Sequence, residues 1–221
     1  MYSRAQPSPR YRDLLQMYAD MHTHGERFHG VSGKETFEGI SLIPHVHTIR
    51  RLVAETGAQN LLDYGAGKAS LYGLRNFLLP GDSTPIETVH DFWDVDFVEL
   101  YDPGYEPYSK LPQGTFGGVI CTDVMEHLPA EDLPWILGEI FGYAERFVFL
   151  TIARYEADKR LPNGENAHIT IKPAEWWAEV IGSVAASRPS VLWEARVEER
   201  KFSDRARLIR EGVALRGGAG G

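Results

Sequence analysis

The sequence predicts an α/β protein: a mainly parallel sheet with helices on both faces, preceded by an N-terminal helical cap. Two observations carry this. From about residue 58, short apolar runs alternate with longer stretches of helical spacing, the pattern of strands buried between two helical layers. Before that point two segments carry apolar residues at helical intervals. A chain of 221 residues, 43% of them hydrophobic, has material for one full-sized core and is short for two.

Taken in order, residues 1–10 are polar with two prolines and read as a loose arm. Residues 11–24 place Tyr11, Leu14, Leu15, Tyr18 and Met21 at helical spacing, and Gly25 stops the run. Ser41 is placed to cap a helix over 42–56, where Ile43, Val46, Ile49, Leu52 and Val53 make one apolar face before Gly57. Pro44 falls in its first turn, where a missing N–H costs little. Strands are expected at 60–63, 97–101, 116–121 and 147–152, and helices at 68–79, 131–145 and 173–186. Residues 80–93 read as an excursion loop, and 191–198 and 205–210 as a late antiparallel pair. This makes 1–57 a cap within the same domain, 58–212 the ligand-binding domain, and the glycine-rich 213–221 a disordered tail.

The net charge is −8 and there is no run of basic residues, so nucleic acid is not an expected partner. The lone Cys121 excludes an internal disulfide and fits a reducing compartment. No apolar leader or spanning segment is visible, so a cytoplasmic protein without membrane contact is expected.

Three segments carry the chemistry. The first, Asp63-Tyr64-Gly65-Ala66-Gly67, follows a strand, and its glycines let the backbone approach a ligand closely. Its spacing departs from a dinucleotide fingerprint, since Ser70 stands three residues after Gly67. Asp63 would repel a pyrophosphate and suits a cationic ligand. The second, Tyr101-Asp102-Pro103, ends a strand in an acid placed to accept ribose hydroxyls, although it lies 35 residues beyond Gly67 rather than the usual ~20. The third, Cys121-Thr122-Asp123-Val124-Met125-Glu126-His127-Leu128-Pro129, runs from a strand into a polar turn.

In this order the three segments resemble the first, second and fourth motifs of the class I S-adenosylmethionine (SAM)-dependent methyltransferases, over about residues 58 to 182. The resemblance implies a Rossmann-like, seven-stranded, mainly parallel sheet. It implies SAM as cofactor, with S-adenosylhomocysteine as product. Asp63, Tyr64, Gly65, Ala66 and Gly67 would surround the methionine moiety, Asp102 with Pro103 the ribose, and Thr122 and Asp123 the sulfonium. Glu126, His127 and His168 are the acid–base candidates beside an acceptor. The implied reaction is methyl transfer to an oxygen or nitrogen of a small-molecule acceptor by a monomer or homodimer. Methylation of a protein or RNA, and a non-catalytic SAM-binding regulatory subunit, stay open beside it. Two departures stand out: Gly118 replaces an acid often found before the fourth strand's apolar pair, and the adenine-contacting motif is not recognisable between Tyr105 and Gln113, with Tyr108 or Leu111 the candidates.

No metal site is expected. The pairs His22 with His24 and His45 with His47 are two residues apart, which cannot share one helix face, and no cysteine supports them. With His29 they read as solvated or pocket-rim histidines in the cap.

Overall fold

Six strands form one sheet in a computed structural model that describes residues 2–202 and 208–218. They are β1 (Asn60–Tyr64), β2 (Phe97–Tyr101), β3 (Phe116–Thr122), β4 (Ala144–Ala153), β5 (Leu192–Phe202) and β6 (Leu208–Gly217), in the order β2-β1-β3-β4-β5-β6. The first five are parallel, and β6 returns antiparallel along β5 from Phe202↔Leu208 to Trp193↔Gly217. Among the described residues the sheet therefore has six strands and not the expected seven. The C-terminal chain is spent on two long strands at one edge, and residues 213–217, expected to be tail, are part of β6.

Helices cover both faces, as expected. On one face α4 (Leu133–Tyr143) and α5 (Ala174–Ala185) bury Leu133, Ile136, Leu137, Ile140, Trp177 and Ile181 against Leu62, Val119, Val148 and Leu150 of the sheet. On the other, α2 (Val46–Thr56) and the short α3 (Val89–Trp93) pack Ile49, Leu52, Val53 and Trp93 against Leu61, Ile120, Phe147 and Phe149. Gly118 belongs to this packing. A Cβ there would collide with the Phe147 ring, so the residue that departs from the motif makes room for a core aromatic.

The N-terminal segment divides. Helix α1 (Pro9–His24) begins with the Ser8 side chain accepting the Tyr11 N–H and Pro9 in its first turn, and stops at Gly25, whose φ is +87°. It lies over the C-terminal ends of the strands. The second predicted helix is a 3-10 turn, Ile40–His45, leading into α2, and α2 is a sheet-covering helix rather than part of the cap. Ser41 does not cap it, because the tighter turn starts one residue earlier, from Gly39 at φ +77°.

The largest local difference is at 68–79, where a helix was expected and only the 3-10 turn Ser70–Gly73 forms. Ala69 is held at φ +54° and Asn76 at φ +47°, both incompatible with a continuous helix. The Lys68 and Ser70 N–H groups donate instead to the Phe37 and Glu38 carbonyls, and Phe77 pairs antiparallel with Ile86. The cap segment thus occupies N–H groups that a helix start would have left open, and the two left-handed residues break the run.

Candidate active site

A cavity of about 510 Å³ opens outside the C-terminal ends of the parallel strands. The sheet order puts β2 on one side of β1 and β3 on the other, so the order of strand addition reverses at this point, where open α/β sheets form their ligand crevices. Gly65, Gly67, Asp102, Pro103, Thr122 and Asp123 line one part of the wall, with Tyr64 beside them. His127 and His168 line another, and α1 contributes Leu14, Tyr18 and His22 above.

The glycine turn is fastened to β2. The Gly65 and Ala66 N–H groups both donate to the Tyr101 carbonyl, at 2.7 and 3.1 Å, and the Gly67 N–H donates to Asp102 Oδ2 at 2.9 Å. With these donors taken and no helix following, the turn cannot cradle a phosphate by its N–H groups. Gly65 and Gly67 sit at φ +89° and +58°; a Cβ on the first would collide with Val124 and on the second with the Phe37 carbonyl. Glycine is required here for close approach of the protein's own chain.

Asp102 joins the two loops. Its Oδ1 accepts the Gly104 N–H at 2.9 Å, while His22 Nε2 stands 3.9 Å away and stacks its ring on Tyr105. Burial raises the Asp102 carboxyl, against the lowering effect of those backbone hydrogen bonds and of Lys68. Lys68 Nζ donates to His22 Nδ1 at 3.2 Å and to the Thr36 carbonyl; burial and that cation hold His22 down to about 4, so it is neutral at pH 7.

Asp63 does not join this wall. Strand alternation turns Leu62 and Tyr64 to the α4 side and Asp63, with Leu61, to the α2 side. There Asp63 is buried, its Oδ2 accepts the Tyr72 hydroxyl at 2.8 Å, and its Oδ1 has no partner. Burial pushes its carboxyl up to about 7, with the nearby Asp102 charge adding to the rise and Tyr72 opposing it. Asp63, expected beside the cofactor, is thus not among the residues that line the cavity. Ala66 and the adenine candidates Tyr108 and Leu111 are likewise not among the cavity-lining residues, and Leu111 is exposed.

Glu126, His127 and His168, separated in sequence, converge. One ligand-type atom from each lies within 4.8 Å of the others, a juxtaposition no spacing in the sequence announced. His127 Nδ1 is 2.9 Å from both the Ala167 carbonyl and the Tyr18 hydroxyl. A carbonyl only accepts, so the proton is assigned to Nδ1 and Nε2 keeps its lone pair. His168 Nδ1 is 2.6 Å from the Tyr155 carbonyl, and the same assignment follows. The rings meet edge to face at 4.7 Å. Burial, with His168 adding, holds His127 down to about 3, and burial also lowers His168. Both are neutral imidazoles at pH 7. Glu126 is wholly buried behind them; its Oε1 accepts the Ala153 N–H at 2.8 Å and its Oε2 has no partner. Burial, and then the Asp123 charge, raise its carboxyl well above the ordinary range.

Asp123 has φ +55°, sparsely populated for a residue with a side chain, and its Oδ1 accepts the Thr151 hydroxyl at 3.2 Å. The cap histidines separate. His22 is buried and lines the cavity, and His24, His29 and His47 are exposed beside Asp20, Glu26 and Asp82. His45 is neither rim nor solvated, but buried beside Glu198 and Phe149. Sequence reasoning missed Tyr18, which holds His127, and Phe37 and Lys159, which line the cavity from distant loops. Tyr18 carried a signal only as one apolar position of an amphipathic helix.

No family model matches this sequence, and no curated protein does. One solved structure with some similarity is an O-methyltransferase family protein from Burkholderia thailandensis, at 12% identity and a TM-score of 0.40, covering 81% of this chain and 57% of that one. The present chain thus spans little more than half of that protein. A likeness this loose bears on neither family nor activity. No described helix is long and apolar enough to cross a membrane.

Proposed function

We propose that the cavity binds SAM and that the protein transfers its methyl group to an oxygen or nitrogen of a small-molecule acceptor. The observation that carries this reading is convergence: Gly65 and Gly67 after β1, Asp102 and Pro103 after β2, and Thr122 and Asp123 at the end of β3 meet on one cavity, with two neutral imidazoles on the same cavity. A volume of about 510 Å³ falls in the range of small-molecule sites.

The residues fit the cofactor in part. Asp102 keeps unused lone pairs for ribose hydroxyls beside the two N–H groups it accepts. The lack of phosphate-directed N–H groups in the glycine turn suits a nucleoside without phosphate. Asp63 is not available, so the cationic end of the ligand falls to the cavity carboxylate Asp123. When bound, SAM supplies an electrophilic methyl group, and the protein's part is to position the acceptor and exclude water. Leu14, Tyr18 and His22 of α1 close that space from above. His127 and His168 present Nε2 lone pairs with which an acceptor hydroxyl or ammonium can exchange its proton.

Calorimetric titration with SAM and S-adenosylhomocysteine tests the cofactor. Binding of both is expected, and absence of both at millimolar concentration refutes the reading. Radiolabelled SAM incubated with fractionated extract tests the acceptor: label should enter the low-molecular-weight fraction, and label confined to protein or RNA refutes the small-molecule assignment.

A further inference from the structure

The part of the cavity wall formed by His127 and His168, with Glu126 buried against them, contains more than a pair of bases. We propose that these three residues form a binding site for one divalent transition-metal ion of the zinc, manganese or iron(II) type, open to the cavity on its remaining coordination positions.

The donor set is the first argument. Two imidazole nitrogens and one carboxylate oxygen suit first-row divalent metals rather than calcium or magnesium, which take oxygen ligands. Metal ligation requires neutral imidazoles, and both histidines have one nitrogen tied to a backbone carbonyl, Ala167 for His127 and Tyr155 for His168. Such an outer hydrogen bond orients a ligating histidine and points its other lone pair at the metal. Tyr18, 2.9 Å from His127 Nδ1, adds a second restraint on that ring.

One oxygen of this donor set is an orphan. Glu126 Oε2 is buried with no hydrogen-bond partner, although the carboxylate is wholly enclosed and held through Oε1 by the Ala153 N–H. A buried acceptor left unmatched is costly, and an ion bound by this carboxylate would offset that cost. His168 Nε2 is already 3.9 Å from Glu126 Oε1.

Distance is the third. Bonds of about 2.0–2.2 Å in a tetrahedral arrangement place neighbouring ligand atoms about 3.5 Å apart. The three ligand-type atoms lie within 4.8 Å of one another, so the widest pair must draw in by roughly 1 Å, within reach of a side-chain rotation of Glu126. The histidines line the cavity and so give the ion a route in. An ion held there would take the Nε2 lone pairs otherwise open to a proton. On the methyltransferase reading alone, it would then favour an acceptor bearing a hydroxyl, which ligates the ion and releases its proton to water. Metal binding itself does not depend on that reading, and SAM titration in the presence of chelator tests the latter separately.

The test titrates metal-stripped full-length protein with Zn²⁺, Mn²⁺ and Co²⁺, following calorimetry, thermal melting and the visible spectrum of Co²⁺. One equivalent is expected to bind and raise the melting temperature. The bound Co²⁺ should show intense visible bands of low coordination number. Glu126→Gln and His168→Asn should each weaken binding by more than about tenfold. Each variant's fold is checked by circular dichroism, and His47→Asn, at an exposed site, serves as control. Absence of stoichiometric binding of any of the three metals overturns the proposal, as does full binding by both folded variants, which would place the ion elsewhere. If one variant fails to fold, the other decides.

Discussion

Asp63→Asn offers a measurement whose sign follows from the structure. Asp63 is buried in β1 facing α2, with one carboxylate oxygen bonded to Tyr72 and the other unpartnered, and its carboxyl is pushed up to about 7 from an ordinary 3.8. A carboxyl whose folded value lies above its unfolded value binds more protons in the folded state. Stability from this group therefore falls as pH rises from the unfolded value through the folded one, and is constant above it. The shift of about three units corresponds to about 4 kcal/mol at pH 8, of which roughly 2–3 kcal/mol is lost between pH 5 and pH 8. Asparagine preserves an acceptor for Tyr72 and cannot ionise, but it places an N–H₂ donor where Oδ1 has no partner, a cost of about 1–3 kcal/mol that does not change with pH. Urea unfolding of both proteins at pH 5, 6, 7 and 8 isolates the effect, because other titrating groups cancel in the difference. The asparagine variant should gain on the wild type by about 2–3 kcal/mol across that range. A flat difference, or one moving toward the wild type, would refute the account of Asp63 as a buried carboxylate outside the ligand site.

Three further outcomes are expected. Asp102→Ala should weaken SAM binding by about 1–3 kcal/mol in calorimetry, since it removes a charged acceptor from the cavity wall; unchanged affinity would remove its ribose role. Gly65→Ala should destabilise by about 1–3 kcal/mol in denaturant titration, because its φ is +89° and its Cβ would collide with Val124, whereas Gly73→Ala, with open space at that position, should be close to neutral. Arg4→Ala should cost about 1–2 kcal/mol, read as a lower melting temperature. Arg4 pairs with Glu139 and donates to the Tyr64 hydroxyl at 3.1 Å, a contribution discounted because about a third of its side chain is solvated.

Strands β1, β3 and β4 were legible one by one because strands buried on both faces read as nearly unbroken apolar runs. That same double burial hid the direction of Asp63. With Leu61 and Leu62 both in the core on opposite faces, no alternation marks which side the next residue takes. The stretch 68–79 has helical spacing at Leu71, Leu74 and Leu78, yet its backbone donors are claimed by Phe37 and Glu38, more than 30 residues earlier. Local periodicity records which residues are apolar and not which carbonyl a given N–H will find.

Sequence alone determined the α/β class, the order of the strand-ending segments, and the residue types at their ends, because these depend on local pattern and on turns of fixed chemistry. Tertiary structure decided the rest. Sheet order brought the ends of β1, β2 and β3 to one cavity, and α1 rather than α2 became its cover. The approach of the loop after β4 to the turn after β3 set His168 against His127 and Glu126, through the Ile169 and Thr170 N–H groups that donate to the Glu126 carbonyl. A site of this kind is made by contacts between segments distant in the chain, and the distances that define its chemistry exist only once the sheet has assembled.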